Sequence, residues 1–195
     1  MTNQTKLQAA VFLDRDGVLI HDVDYLSDLK DIHIYEDVPE ALSKLKKAGF
    51  LLIMVTNQSG VARGYFDEKF VEASYGNIQA SLQNQSATLD GMYFCPHHII
   101  GRPPYNIKCN CRKPLPGMIL EAEKQFNIDL SRSYMLGDKL CDVELAKNSR
   151  TVGLLLKTGY GKSQAAVISE KYPDVKIFNR FFEAANYILD QAYQG

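Results

Sequence analysis

No charge of one sign dominates this sequence: 22 lysines and arginines meet 23 aspartates and glutamates, a net charge of −1. A protein that grips nucleic acid through its phosphates carries a clear basic excess, so this balance argues against a nucleic-acid partner. No stretch approaches the roughly 20 apolar residues a membrane-spanning helix needs, and no membrane partner is expected. The opening "MTNQTKLQAA" lacks a basic start followed by an apolar run; no secretory leader is expected, and the protein reads as cytoplasmic. Internal repeats, low-complexity tracts and dividing linkers are missing too, and 195 residues suit a single domain spanning 1–195. No association stripe stands out, so a monomer is expected.

What is present alternates. "AAVFLD" (9–14) is a short apolar run ending in acid, the pattern of a buried parallel strand with polar groups at its tip. "DVPEALSKLKKAG" (37–49) has an Asp placed to cap, an early proline, apolar residues at helical spacing and a terminating glycine. "FLLIMVTN" (50–57), "GMYFC" (91–95), "SYMLGD" (133–138) and "TVGLLLK" (151–157) repeat the strand pattern. Helices are expected from Asp67, over 117–126, near 140–148 and at about 180–192. The alternation predicts an α/β fold: a doubly wound, mostly parallel sheet with helices on both faces. Ligands of such sheets bind beyond the C-terminal ends of the strands. Those ends deliver Asp14 and Asp16, Thr56 and Asn57, Cys95, and Asp138.

In "FLDRDG" two carboxylates stand two residues apart at a strand tip, where Gly17 lets the chain turn. "MLGDKLCD" adds Asp138 at another tip and Asp142 one helical turn on. A lone Asp-x-Asp after a strand is usually a turn or a cap. Carboxylates converging from two strands repel one another, however, and a hard cation such as Mg²⁺ relieves them while leaving positions for phosphate oxygens. Thr56 and Asn57 in "VTNQSGVARG" offer neutral donors, and Arg112 and Lys113 in "CRKP" bring cations. Acid, magnesium and fixed cations together are what phosphoryl transfer requires.

Three of the four cysteines share one proline-rich loop, "YFCPHHIIGRPPYNIKCNCRKP" (93–114). Cys95, His97, Cys109 and Cys111 have the chemistry of a closed tetrahedral zinc site, although the gaps within Cys-Pro-His and Cys-Asn-Cys are tighter than in common zinc fingers. A disulfide would leave an odd thiol and suits a reducing compartment poorly. Simple buried packing accounts for Cys141 on its helix, but poorly for three cysteines in a loop.

Taken in order, "FLDRDG", "VTNQSG", "RKP" and "GDKLCD" resemble the four motifs of the haloacid dehalogenase (HAD) superfamily of aspartate-nucleophile phosphatases. The run "LDRDG…VTNQSGVARG…CPHH…CNCRKP…GDKL" is similar, more narrowly, to the branch that holds the heptose-bisphosphate and histidinol-phosphate phosphatases. The resemblance implies that Asp14 is the nucleophile and Asp16 the general acid and base. It implies magnesium on the Asp14 carboxylate, the Asp16 carbonyl and Asp138, with Thr56 and Lys113 steadying the phosphoryl group. Arg112 and Lys139 would recognise substrate, and Asp142 would orient Lys139 or a metal-bound water, unless it is a solvated helix residue. It also selects His97 over His98 as the zinc ligand and makes the zinc structural.

The gaps between motifs leave no room for a large cap domain, so the zinc loop and "HDVDYL" (21–26) would wall the cleft. That favours a small polar substrate, a sugar bisphosphate, with Asp22, Tyr25, Asn57, Gln58, Ser59 and Arg63 as further contacts. "SGVARG" favours the heptose side of the branch, which implies supply of heptose to lipopolysaccharide or related glycans. The chain departs from that branch at Val18, and at Val23-Asp24-Tyr25 where bacterial members commonly carry His-Gly-Tyr. Histidinol phosphate is the alternative substrate. A zinc-stabilised binding module without catalysis is the alternative class, and the complete carboxylate set argues against it.

Overall fold

A computed structural model describes residues 7–194. The first six residues, which carry most of the stretch read for a leader, and Gly195 lie outside them. Six parallel strands form one sheet in the order β3-β2-β1-β4-β5-β6, where β1 is Ala10–Leu13, β2 Leu51–Asn57, β3 Gly91–Cys95, β4 Tyr134–Gly137, β5 Val152–Leu156 and β6 Lys176–Phe178. β1 is central. It pairs with β2 (Ala10 beside Leu51) and with β4 (Val11 beside Tyr134), so the chain winds outward one way to β3 and the other way to β6. The strand order therefore reverses between β1 and β4, where open α/β sheets place their ligand crevice.

Side-chain alternation along the strands fills both faces. Val11, Leu13, Leu52, Met54 and Leu136 face one way, under α1 (Val38–Lys47), α3 (Glu68–Gln83) and α7 (Phe181–Gln194). Ala10, Phe12, Ile53, Val55 and Met135 face the other, under α4 (Gly117–Phe126) and α5 (Leu140–Ser149). Each apolar strand is thus covered twice, which is why it reads as a continuous hydrophobic run.

One local reading changes. Asp37 occupies the N-cap of α1, but its carboxylate accepts from the Phe182 N–H at 2.9 Å and so ties α1 to α7 instead of capping its own helix. Asp67 does cap α3, accepting from Phe70 N at 2.9 Å. The one-turn α2 (Gly60–Arg63), α6 (Gly161–Lys171), β6 and the single 3-10 turns Leu29–Asp31 and Leu130–Arg132 were not anticipated. Only Gly161 and Ile168 of α6 are buried, so its sequence carries almost no apolar stripe, and β6 is three half-exposed residues at a sheet edge.

Candidate active site

Asp14 follows β1 directly, its N–H bonded to Leu136 O at 3.0 Å, which fixes its backbone against β4. Its carboxylate Oδ1 accepts from the Arg15 N–H at 2.7 Å and stands 2.9 Å from Lys113 Nζ. Lys113 is buried and also reaches Asp142 Oδ1 at 2.7 Å and Val55 O at 3.2 Å. Burial alone would lower its pKa, but the Asp14 and Asp142 charges outweigh that and hold it well above the ordinary lysine value. Lys113 is an ammonium.

Asp138 follows β4 and is fully buried. Its Oδ2 accepts from Tyr160 N at 2.8 Å, whereas among the described residues Oδ1 has no hydrogen-bond partner and its nearest cation is Lys139 Nζ at 3.9 Å. Burial and then the Asp14 charge push its pKa up to about 7, against the pull of Lys139 and the Tyr160 N–H. Gly17, at φ +78, is needed here twice over: it makes the left-handed turn after Asp16, and a Cβ on it would collide with Asp138 Oδ2.

Ligand atoms of Asp14, Asp138 and Asp142 lie within 4.8 Å of one another. Both oxygens of Asp142 are engaged, Oδ1 by the 2.7 Å ion pair with Lys113, although without hydrogen-bond geometry, and Oδ2 by the Lys139 N–H at 3.0 Å. Asp142 is therefore neither a solvated helix residue nor mainly a partner of the Lys139 side chain; its charge orients Lys113. Asp14 and the orphaned oxygen of Asp138 remain, a hard, anionic, oxygen-only pair that fits magnesium.

Asp16 is held from behind. Arg15 Nε lies 3.2 Å from both of its oxygens and a terminal guanidinium nitrogen 3.0 Å from Oδ1, while Gln58 Nε2 donates to Oδ2 at 3.1 Å and to Thr56 Oγ1 at 2.9 Å. Asn57 spends its amide on the Lys113 backbone, accepting from its N–H at 3.0 Å and donating to its carbonyl at 3.3 Å. It positions the lysine.

The other substrate candidates line a cleft of about 290 Å³: Asp22, Tyr25, Ser59, Arg112 and Lys139, with Asp14, Asp16 and Thr56 at its floor. Lys139 Nζ sits 3.3 Å from Asp22 Oδ2 and 4.3 Å above the Tyr160 ring; burial would lower its pKa, but Asp138, Asp14 and Asp22 hold it above the lysine norm. Arg63 lies outside this cleft, in an adjoining groove with Tyr65 and Ile100, its guanidinium 5.9 Å from the Tyr25 ring centre. Asp24, in the segment 21–26 expected to wall the cleft, lines it; Arg15, Cys141 and Tyr160 also line it and were not foreseen. Tyr160 follows β5, so the strand-end rule applied to that strand would have found it.

The cysteine loop closes as expected. Cys95 Sγ is 3.6 Å from Cys109 Sγ and 3.8 Å from His97 Nδ1, which is 3.4 Å from Cys111 Sγ. Bond lengths of ~2.3 Å to sulfur and ~2.0 Å to nitrogen give tetrahedral edges of about 3.8 Å (S to S) and 3.5 Å (S to N), so the four atoms fit one zinc ion. His98 is elsewhere, its Nδ1 accepting from Ile100 N at 3.1 Å. Arg112 donates to His97 O at 3.3 Å, carrying the clamp toward Lys113.

A HAD-hydrolase-like family model matches residues 110–184. The chain is 42% identical over 176 residues to the D-glycero-β-D-manno-heptose-1,7-bisphosphate 7-phosphatase of Pasteurella multocida, covering 87% of this chain and 95% of that protein. To the phosphatase of the same name from Escherichia coli K12 it is 43% identical over 153 residues, 77% of this chain and 80% of that one. The crystal structure of D,D-heptose 1,7-bisphosphate phosphatase from B. bronchiseptica, complexed with magnesium and phosphate, superposes with a TM-score of 0.83 at 28% identity, over 94% of this chain and 99% of that one.

Proposed function

The chain belongs to the heptose-1,7-bisphosphate phosphatase family of HAD-like hydrolases, and we propose that it removes the 7-phosphate of D-glycero-β-D-manno-heptose 1,7-bisphosphate through an aspartyl-phosphate on Asp14. One observation carries the reading: Asp14 meets a buried ammonium, Lys113, beside an Asp138 oxygen that has no hydrogen-bond partner. A carboxylate nucleophile, a fixed cation and a hard oxygen ligand for a metal ion are the parts phosphoryl transfer uses. The β anomer is chosen because it is the one in the relatives' names.

Bound to Asp14, the Asp16 carbonyl and Asp138, magnesium would neutralise the phosphoryl oxygens and polarise phosphorus. Lys113 and Thr56 hold the phosphoryl group. Asp14 attacks phosphorus, the bond from phosphorus to the sugar oxygen breaks, and Asp16 gives its proton to that oxygen. Water then attacks the phosphorus of the acyl phosphate. Asp16 takes the water's proton, the bond to Asp14 breaks, and inorganic phosphate leaves with both aspartates as they began. Asp22, Lys139, Tyr25, Ser59 and Arg112 face the sugar; Arg63 acts from the rim.

Zinc in the four-ligand loop has no open position and is structural in this reading. Residues 1–195 act as one cytoplasmic catalytic unit, a monomer without a nucleic-acid partner, that supplies heptose for cell-surface glycans. The test measures magnesium-dependent phosphate release from both anomers of heptose 1,7-bisphosphate and from histidinol phosphate. The β anomer should turn over fastest. Comparable turnover of histidinol phosphate overturns the substrate, and no magnesium-dependent release from any of the three overturns the phosphatase.

A further inference from the structure

We infer that Arg15 is a positioning residue for the acid–base step, holding the Asp16 carboxylate in one orientation from an anchor on α3. The inference rests on the phosphatase reading above.

Arg15 is one of the largest fully buried side chains, at 1% exposure. An ionised guanidinium out of water costs several kcal/mol unless it is paired, so a position that needed only bulk would be served better by leucine or methionine. Its donors have definite destinations. Nε and one terminal nitrogen fork onto Asp16, and the other terminal nitrogen donates to Ser74 Oγ at 3.1 Å. Ser74, itself fully buried in α3, passes its own proton to Val71 O at 2.7 Å. The arm is fixed at its far end.

The exposures show which side is free. The Arg15 side chain is 2% exposed and the Asp16 side chain 19%, so the protein's donors occupy the inner side of the carboxylate while it remains open to the cleft. Gln58 grips Oδ2 as well. The same residue also reaches the nucleophile, since the Arg15 N–H donates to Asp14 Oδ1. One residue thus sets the relation between the two carboxylates. Asp16 must face the leaving oxygen in the first half-reaction and water in the second, and a carboxylate free to rotate would lose time in both. The Arg15 side chain lies behind Asp16, and only the backbone N–H, which every substitution leaves in place, touches Asp14.

The test is a double-mutant cycle on the magnesium-loaded enzyme, with Arg15→Gln, Asp16→Asn and the pair, assayed on heptose bisphosphate and on p-nitrophenyl phosphate. Arg15→Gln should lower kcat on the sugar about 100-fold, with KM changed less than about threefold, because misplacing a catalytic group costs roughly that much. On p-nitrophenyl phosphate, whose phenolate leaves unprotonated, the loss of the first step should be smaller. In the Asp16→Asn background Arg15→Gln should add less than about threefold, because nothing is left to position. Arg15→Lys should not rescue, since an ammonium cannot fork. Should Arg15→Gln fail to fold, Ser74→Ala keeps the charge and releases only the anchor; kcat should fall about three- to tenfold at constant KM, again only with Asp16 present. A native kcat in Arg15→Gln or, failing that, in Ser74→Ala, or losses that multiply in the double mutant, overturn the inference. An inactive native enzyme overturns the phosphatase reading itself, which is a different outcome.

Discussion

Lys113 Nζ and Asp142 Oδ1 are 2.7 Å apart, each side chain 1% exposed. The same ammonium stands 2.9 Å from Asp14, so one cation is shared between the proposed nucleophile and a carboxylate outside the cleft. In the proposed mechanism the Asp14 carboxylate gives up its charge when it becomes an acyl phosphate, and Asp142 still balances Lys113. The lysine can follow the phosphoryl group without becoming an unpaired buried cation, which is costly.

Lys113→Met leaves Asp14, Asp138 and Asp142 facing one another without their buried counter-ion. Removing one member of a buried ion pair costs about 3–5 kcal/mol, or roughly 10 °C in Tm for a chain of this size. Magnesium should recover part of that stability but none of the turnover. A metal-free variant melting within about 2 °C of native would contradict the account.

Asp14→Asn should separate stability from chemistry. It removes a repelling carboxylate, so the metal-free Tm should stay level or rise, while phosphate release falls by about 10⁴-fold or more, as for loss of a nucleophile. Calorimetry and a release assay read the two effects. Activity above a tenth of native would mean that another group attacks phosphorus.

The sequence made the apolar elements and the charged strand tips legible, because burial on both faces writes continuous runs and acids at their ends are out of place unless used. It hid what depends on partners distant in the chain. Asp37 looked like a cap, and only the return of α7 beside α1 gives its carboxylate to Phe182. Asn57 was expected to contact substrate and does line the cleft, but its hold on the Lys113 backbone, 56 positions away, carries no local sign in the sequence. Arg15, between two aspartates, carries no local sign that it is buried; that follows from Ser74, 59 positions away. α6 was missed because only Gly161 and Ile168 face inward.

The zinc clamp should act on catalysis through Arg112 and Lys113. Purified reduced protein should hold one zinc per chain, and Cys109→Ser should lose it. Arg112 would then lose its fixed acceptor, His97 O, and Lys113 its register, lowering kcat by about 10- to 100-fold, the cost of an ångström-scale misplacement. Excess magnesium should not restore it, because a thiolate site does not suit a hard ion. Elemental analysis paired with kinetics checks this; full activity without zinc would show that the clamp is dispensable.

Asp138 sets a pH dependence whose sign is opposite to that of a salt-bridged aspartate. Its folded pKa of about 7 stands above the ordinary value of about 3.9, so between the two the metal-free folded state binds the extra proton. Stability then falls as pH rises through that window. Magnesium needs the ionised carboxylate, so its affinity should climb with pH up to about 7 and level off. Melting curves from pH 5 to 8 should therefore show native metal-free protein losing Tm relative to Asp138→Asn, and magnesium closing the gap most at the high end. If the native Tm rises relative to the variant across that range without metal, Asp138 is ionised throughout, and the raised pKa is wrong.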